Sequence, residues 1–284
     1  MKTLLIFTVR YPFGNGESFF ADELQQLAQS FARIELVPIC GAQTQRALPG
    51  NVFLHRPLWT TAWERRRFLA GSLLTPKVLA LALAECRHCL KTNVKLTAAV
   101  LIRVVLWAIY RVALEAHPAV TAAIQDPKDK VAYAYWGHTP SLGILKLARH
   151  GIPCAVRYHR VDLYREGMQH NRWYHRDARY FPWREHIASA SRLLIFVSQH
   201  GHAYFRESWP RAHLTDMLVS PLGVANPDFS SFTRNPASDQ GNGDFVMVSC
   251  SGIRPQKRVE RIAAFASEMA RYRPNLVWHH FGGG

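Results

Sequence analysis

Three cations crowd one short turn: Arg254, Lys257 and Arg258, within Ser249-Cys250-Ser251-Gly252-Ile253-Arg254-Pro255-Gln256-Lys257-Arg258. The run before it, Val246-Met247-Val248, is apolar and β-branched, as in a buried strand. After it, Val259, Ile262, Ala263, Ala266 and Met269 recur at helical spacing. The stretch therefore reads as strand, turn, helix. A helix start offers free N–H groups and a positive dipole end, so basic side chains there are unfavourable unless an anion is present. That points to a phosphate-binding turn; the alternative is a solvated helix start with cations on its exposed face.

A second set lies earlier in the chain. Val131–Tyr135 reads as a strand followed by Trp136-Gly137-His138, and Cys154–Tyr158 as a strand followed by His159-Arg160-Val161-Asp162. Two histidines and a carboxylate thus fall at the carboxyl ends of neighbouring strands, where open α/β sheets bind ligands. Each is alternatively a hydrogen-bonded loop residue. Gly14, Asn15, Gly16 and Glu17 follow the first strand, and their backbone is suited to approach a ligand. This loop lacks the Lys-Ser/Thr of a P-loop and the third glycine of a dinucleotide fingerprint. The segment Tyr164–Phe181 mixes His, Arg and aromatics, suited to a sugar or nucleotide or equally to a basic surface. No RNA- or DNA-binding motif accompanies it, so nucleic acid is not an expected partner.

These residues need a scaffold. Thr3–Val9 is the first strand, Ser18 is placed to cap a helix with Phe20, Leu24, Leu27 and Phe31 on one face, and Arg33–Ile39 is the next strand. A β-loop-α-β opening favours a parallel sheet. Thr60–Gln125 is mostly helical, with Arg65-Arg66-Arg67 on a solvated face. Within it, Thr97–Ala116 carries Arg103, Trp107 and Arg111 on one stripe, which suits either an anionic membrane surface or a core helix with snorkelling arginines. Cys86 and Cys89 have Cys-x-x-Cys spacing, but nothing completes a zinc set. Residues 226–243, rich in Pro, Ser, Asn, Asp and Gly, read as a linker. The expected organisation is an α/β domain over 1–225, that linker, and one βαβ unit over 244–284 with Gln256–Tyr272 as its helix. One such unit buries too little to stand alone, so most of a second α/β domain is expected to be lacking.

The 284 residues carry 35 Lys+Arg against 20 Asp+Glu, a formal net charge of +15, which favours anionic partners. Five cysteines in so long a chain argue against a disulfide framework and fit mostly buried thiols in a reducing cytosol. The apolar start is too short for a signal peptide with no cleavage pattern, and no apolar run reaches the ~18 residues of a spanning helix.

Taken in order, the chain resembles family 4 glycosyltransferases of the GT-B fold, in the bacterial surface-polysaccharide branch. The matching stretches are Tyr11–Phe19, Arg157–Tyr164, Ser198–Gly201, Ser220–Gly223, Ser249–Arg258 and His280–Gly284. The resemblance implies two Rossmann-like domains around a cleft, the first binding the acceptor and the second a nucleotide-diphosphate sugar. It implies transfer with retention, no metal and no other cofactor. The acceptor would be a glycan or lipid-linked glycan of polysaccharide or lipopolysaccharide assembly, and the protein would be cytoplasmic or peripheral on the inner membrane face. By the same resemblance His159 contacts the transferred sugar. Lys257 neutralises the departing diphosphate. Ser251, Arg254, Arg258, Gly282 and Gly283 belong to the donor side. Gly14, Asn15, Gly16, Glu17, Trp136, His138 and Asp162 belong to the acceptor side. The family's turn arginine is replaced by Gly252, so Arg254 or Arg258 would stand in. The family's Glu-x7-Glu motif is absent up to Gly284. The chain alone is therefore expected not to catalyse transfer; a non-catalytic acceptor-binding or membrane-docking domain is the alternative.

Overall fold

The computed structural model describes residues 2–14, 17–164, 180–209, 215–223, 245–253 and 257–283. Two compact units divide the chain, Met1–Ala225 and Asn226–Gly284.

In the first unit the elements run β1 (Thr3–Thr8), α1 (Phe20–Ser30), β2 (Arg33–Pro38), β3 (Val52–Leu54), α2 (Ala62–Ser72), α3 (Pro76–Lys91), α4 (Ala98–Glu115), α5 (Pro118–Gln125) and β4 (Lys130–Ala134). A 3₁₀ turn (Thr139–Gly143) leads to α6 (Ile144–Arg149), β5 (Cys154–Tyr158), α7 (Arg160–Leu163), α8 (Arg184–Ala190), β6 (Leu193–Phe196), α9 (Gln199–Ser208) and β7 (Asp216–Val219). The seven strands form one sheet in the order β3-β2-β1-β4-β5-β6-β7. Every neighbouring pair is parallel. This is the expected α/β class, a doubly wound, Rossmann-like sheet.

Strand alternation divides β1 between two cores. Leu5 and Phe7 pack with the layer built by α3, α4 and α6, whereas Leu4 and Ile6 pack with Phe20 and Leu24 of α1. A parallel sheet needs both faces covered, and the alternation supplies a partner for each. The strand order reverses between β1 and β4, so their following loops diverge and leave a crevice at the carboxyl edge.

Several details differ from the sequence reading. Ser18 does not cap α1; Phe19 holds the N-cap position with no side-chain cap. The loop is fixed instead by Glu17, whose backbone carbonyl accepts from Phe20 N–H at 3.0 Å. Of the two readings of α4, the core helix is the one found: Val104, Trp107, Ala108 and Leu114 are buried. Arg103 donates to the Tyr180 carbonyl at 3.1 Å and Arg111 to Glu115 at 2.9 Å. Its arginines are thus held by protein partners, which removes α4 as a membrane-facing stripe. Cys89 and Cys154 are buried thiols, but Cys250 is exposed. No single helix among the described residues is long and apolar enough to cross a membrane.

The second unit has β8 (Phe245–Cys250), α10 (Val259–Tyr272) and β9 (Leu276–Phe281), with β8 and β9 parallel. Its helix starts at Val259 rather than Gln256, because Arg258 adopts a left-handed backbone at φ 50°. The expected linker, residues 226–243, lies outside the described residues.

Candidate functional site

The carboxyl ends of β1, β4 and β5 bring three loops together, and two carboxylates tie them. Glu17, itself left-handed at φ 56° and only 8% exposed, turns its carboxylate back onto its own loop. It accepts from the N–H groups of Val9 at 3.1 Å and Tyr11 at 2.7 Å, from Arg10 N–H, and from the Trp136 indole N–H. Glu17 thereby joins the β1 loop to the β4 loop. Asp162, fully buried, accepts from Gly137 N–H on one oxygen and His159 N–H on the other, each at 2.6 Å. It joins the β4 loop to the β5 loop. Burial pushes its carboxyl up to about 7 against the pull of those two N–H groups. Both residues were expected on the acceptor side. In the structure they are braces, with their oxygens engaged by the loops themselves.

Gly137 is required by this geometry. A Cβ there would lie 2.2 Å from the Tyr158 ring, so only glycine lets the β4 loop pass over the end of β5.

The braces surround His159. Its ring lies 4.2 Å from that of Trp136, 5.0 Å from Tyr135 and 5.9 Å from Phe19, centroid to centroid. It is 5% exposed, and neither ring nitrogen has a hydrogen-bond partner among the described residues. The adjacent Tyr135 hydroxyl is equally unsatisfied. Burial, with smaller contributions from Arg157 and His138, lowers the imidazole to about 3, so it is neutral at pH 7. A neutral imidazole offers one donor and one acceptor, the pair a hydroxyl-bearing ligand needs. Buried polar atoms are normally satisfied, so this cluster calls for an explanation.

Beneath His159 is a network that the sequence reading did not single out. Arg157 donates to the Tyr133 hydroxyl at 2.7 Å, to the Ser220 carbonyl at 2.8 Å and to Glu23 at 3.1 Å, while Tyr133 donates to Glu23 at 2.8 Å. The available signal was an arginine inside an otherwise apolar strand: Arg157 is only 5% exposed, and buried charges are retained when paired. The network fixes β5 against α1 and the end of β7.

His138 points elsewhere. It lines a cavity of about 340 Å³ with Val9, Arg10, Cys40, Trp59 and Arg65. Its Nδ1 accepts from Thr139 N–H at 2.8 Å, which leaves the proton on Nε2. Burial lowers it to about 4. Trp136 lies beside both histidines, 5.3 Å from His138. Gly14 anchors the β1 loop through its N–H to the Thr44 carbonyl at 3.0 Å. Asn15 and Gly16 lie outside the described residues. So does nearly all of the segment Tyr164–Phe181, residues 165–179.

In the second unit Ser251, Gly282 and Gly283 meet at the strand ends. Ser251 N–H donates to Phe281 O and Ile253 N–H to Gly283 O, both at 3.0 Å. Gly282, at φ 137°, would place a Cβ 2.1 Å from the Ser251 carbonyl oxygen. The Ser251 hydroxyl is buried without a partner among the described residues. His280, which the residue pattern alone did not mark, bonds Ser249 Oγ at 2.9 Å and Ser251 O at 3.0 Å and so shapes this turn. Lys257 and Arg258 are exposed at the start of α10; Arg254 lies outside the described residues. Among the described residues no three His, Cys, Asp or Glu side chains gather where they could hold a metal ion.

No protein-family model and no curated protein matches the chain. Solved structures are similar to it at low identity. UDP-N-acetylglucosamine 2-epimerase from Rickettsia bellii is 10% identical at TM-score 0.41, covering 99% of this chain and 62% of its own. Apo UGT2 of Phytolacca americana is 12% identical at TM-score 0.45, covering 89% of this chain and 57% of its own. A UDP-glucose:anthocyanidin 3-O-glucosyltransferase in complex with UDP is 12% identical at TM-score 0.41, covering 98% and 66%. The chain thus spans less than two thirds of the length of these structures.

Proposed function

We propose that this chain is part of a retaining glycosyltransferase of the GT-B, family 4 type, which takes a nucleotide-diphosphate sugar and extends a glycan or lipid-linked glycan in surface polysaccharide or lipopolysaccharide assembly. The observation that carries this reading is His159. A neutral imidazole with both nitrogens unsatisfied, beside an unsatisfied Tyr135 hydroxyl, sits at the carboxyl end of β5 next to the point where strand order reverses. Such a group suits the hydroxyls of a sugar. The basic turn of the second unit, with Lys257 and Arg258 exposed and the Ser251 hydroxyl unpartnered, suits a diphosphate.

In the reaction so read, the bond between the anomeric carbon and the diphosphate oxygen breaks. A bond from the acceptor hydroxyl oxygen to that carbon forms on the same face. The acceptor's proton leaves with the nucleoside diphosphate. Lys257 stabilises the negative charge that develops on the departing diphosphate, and His159 orients the sugar. The reading draws on no metal and no other cofactor, and places the protein in the cytoplasm. Assay of the full-length protein with UDP-, GDP-, ADP- and dTDP-sugars and a membrane lipid extract tests it. Turnover abolished by Lys257→Ala supports it, and no turnover with any of these donors by folded protein contradicts it.

One observation favours a membrane-docking role, with or without catalysis. On α3, Leu79, Leu83 and Leu90 are 51%, 53% and 63% exposed and share one stripe, whereas Val78, Ala82, Glu85 and Cys89 face the core. Arg87 and Lys91 are also exposed and flank the leucines on the same helix. An apolar stripe bordered by cations suits the surface of an anionic membrane.

A further inference from the structure

The cavity of about 340 Å³ beside the carboxyl ends of β1 and β2 has a one-sided chemistry. Its lining includes Arg10, Arg65, His138, Thr61, Trp59 and Tyr110, and no Asp or Glu. The groups beside the two guanidiniums are neutral: the Cys40 thiol, which donates to the Val9 carbonyl at 3.3 Å, lies near Arg10, and the Tyr110 hydroxyl lies near Arg65. Burial keeps that thiol protonated, so it does not answer their charge. Thr61 caps α2, whose amino end borders the cavity and is closed by a capping box: Thr61 Oγ1 accepts from Glu64 N–H at 3.1 Å, and the Glu64 carboxylate, outside the cavity lining, accepts from Thr60 N–H and its hydroxyl at 2.6 Å. His138 carries its proton on Nε2, since Nδ1 accepts from Thr139. The charged groups of the lining and His138 Nε2 are donors, and the volume lies in the range of small-molecule sites. Trp59 and Tyr110, each under 10% exposed with ring centroids 5.3 Å apart, supply an aromatic wall of the kind on which a sugar ring packs.

We propose that this cavity binds an anionic sugar unit, a pyranose bearing a phosphate or a carboxylate, with the anion between Arg10 and Arg65 and the ring against Trp59 and Tyr110. Under the transferase reading this unit belongs to the acceptor, and the inference rests on that reading for this assignment. The binding itself does not depend on it.

Isothermal titration of the intact chain with glucose 1-phosphate, glucuronate, inorganic phosphate and glucose tests the proposal at low and physiological salt. At least one anionic sugar is expected to bind about tenfold or more tightly than either glucose or inorganic phosphate, as a charge-assisted site combined with an aromatic wall requires. Whichever of the two anionic sugars binds more tightly identifies the anion. Arg65→Ala and Arg10→Ala are each expected to weaken that binding about tenfold, while Arg66→Ala, an equal loss of charge outside the cavity, leaves it within about twofold. Both cavity arginines are exposed, so the variants are expected to keep the parent Tm. The proposal is overturned if neither anionic sugar exceeds glucose and phosphate, if the gain persists in the Arg10→Ala/Arg65→Ala double variant, or if Arg66→Ala weakens binding as much. No donor is present in this titration. Failure here leaves the transfer chemistry standing, and absent transfer with intact binding removes the transferase reading alone.

Discussion

The indole of Trp136 lies 4.2 Å from the imidazole of His159, ring centroid to ring centroid, with 40° between the planes. Trp136 also donates to Glu17, so one residue both covers the histidine and latches the β1 loop. The neutral state of His159 follows from this cover, because desolvation is the largest influence on it. Trp136→Ala removes the cover and admits water. The imidazole is then expected to titrate well above about 3, moving toward the usual 6.5, as read from its NMR ring-proton shifts. An unchanged titration would show that other neighbours set the state of His159.

Acid stability carries the same signature. His159 and His138 are lowered to about 3 and about 4 from the usual 6.5, and His117 is lowered as well. The unfolded chain binds these protons and the folded chain resists them, so their contribution is complete above about pH 6.5 and lost as pH falls below it. Asp162, raised to about 7, acts oppositely: its contribution is present below its usual 3.8 and lost as pH rises to about 7. The histidines outnumber the aspartate, so these groups together make stability climb with pH between about 4 and 6.5. His159→Phe is expected to lower that slope by about one proton, measured as the urea midpoint against pH. Parallel profiles for the two proteins would contradict the assignment.

Asp162 braces two loops through backbone N–H groups alone. Asp162→Ala leaves both without an acceptor in a buried place and is expected to cost about 2–5 kcal/mol. Asp162→Asn keeps one acceptor oxygen and is expected to cost about half as much. Urea unfolding with unchanged m-values decides it. A cost under about 1 kcal/mol for the alanine variant would mean that the loops are held by other contacts.

Much of this arrangement was legible in the sequence. Apolar runs at strand spacing marked the sheet, and polar clusters directly after β4 and β5 marked its carboxyl edge. The sequence could not show which polar groups face a ligand. Asp162 and Glu17 look like site carboxylates until their oxygens are seen on backbone N–H groups. The cavity between Arg10 and Arg65 was equally hidden, because residues 55 positions apart meet only through the strand order. For α4, periodicity marked an amphipathic helix, but Tyr180 and Glu115, which hold its arginines, lie on other turns and elements.

The α3 stripe makes a separate prediction. Burying Leu79, Leu83 and Leu90 in a bilayer surface contributes about 1.5–3 kcal/mol per side chain when burial is complete. Sedimentation with phosphatidylcholine vesicles containing anionic phosphatidylglycerol is expected to bind the protein. The Leu79→Ser/Leu83→Ser/Leu90→Ser variant is expected to bind at least about tenfold more weakly. Equal binding by the two proteins, or binding to neutral vesicles alone, would remove this face from the account.

The central claim is that His159 receives the sugar. Its most direct test follows the His159 ring by ¹H–¹⁵N NMR while UDP-, GDP-, ADP- and dTDP-sugars, and then the matching nucleoside diphosphates, are titrated into the protein. The account predicts that one nucleotide sugar shifts both ring nitrogens while its diphosphate alone does not, and that Lys257→Ala weakens binding of both. Ring nitrogens that stay unmoved while a nucleotide sugar demonstrably binds would contradict it.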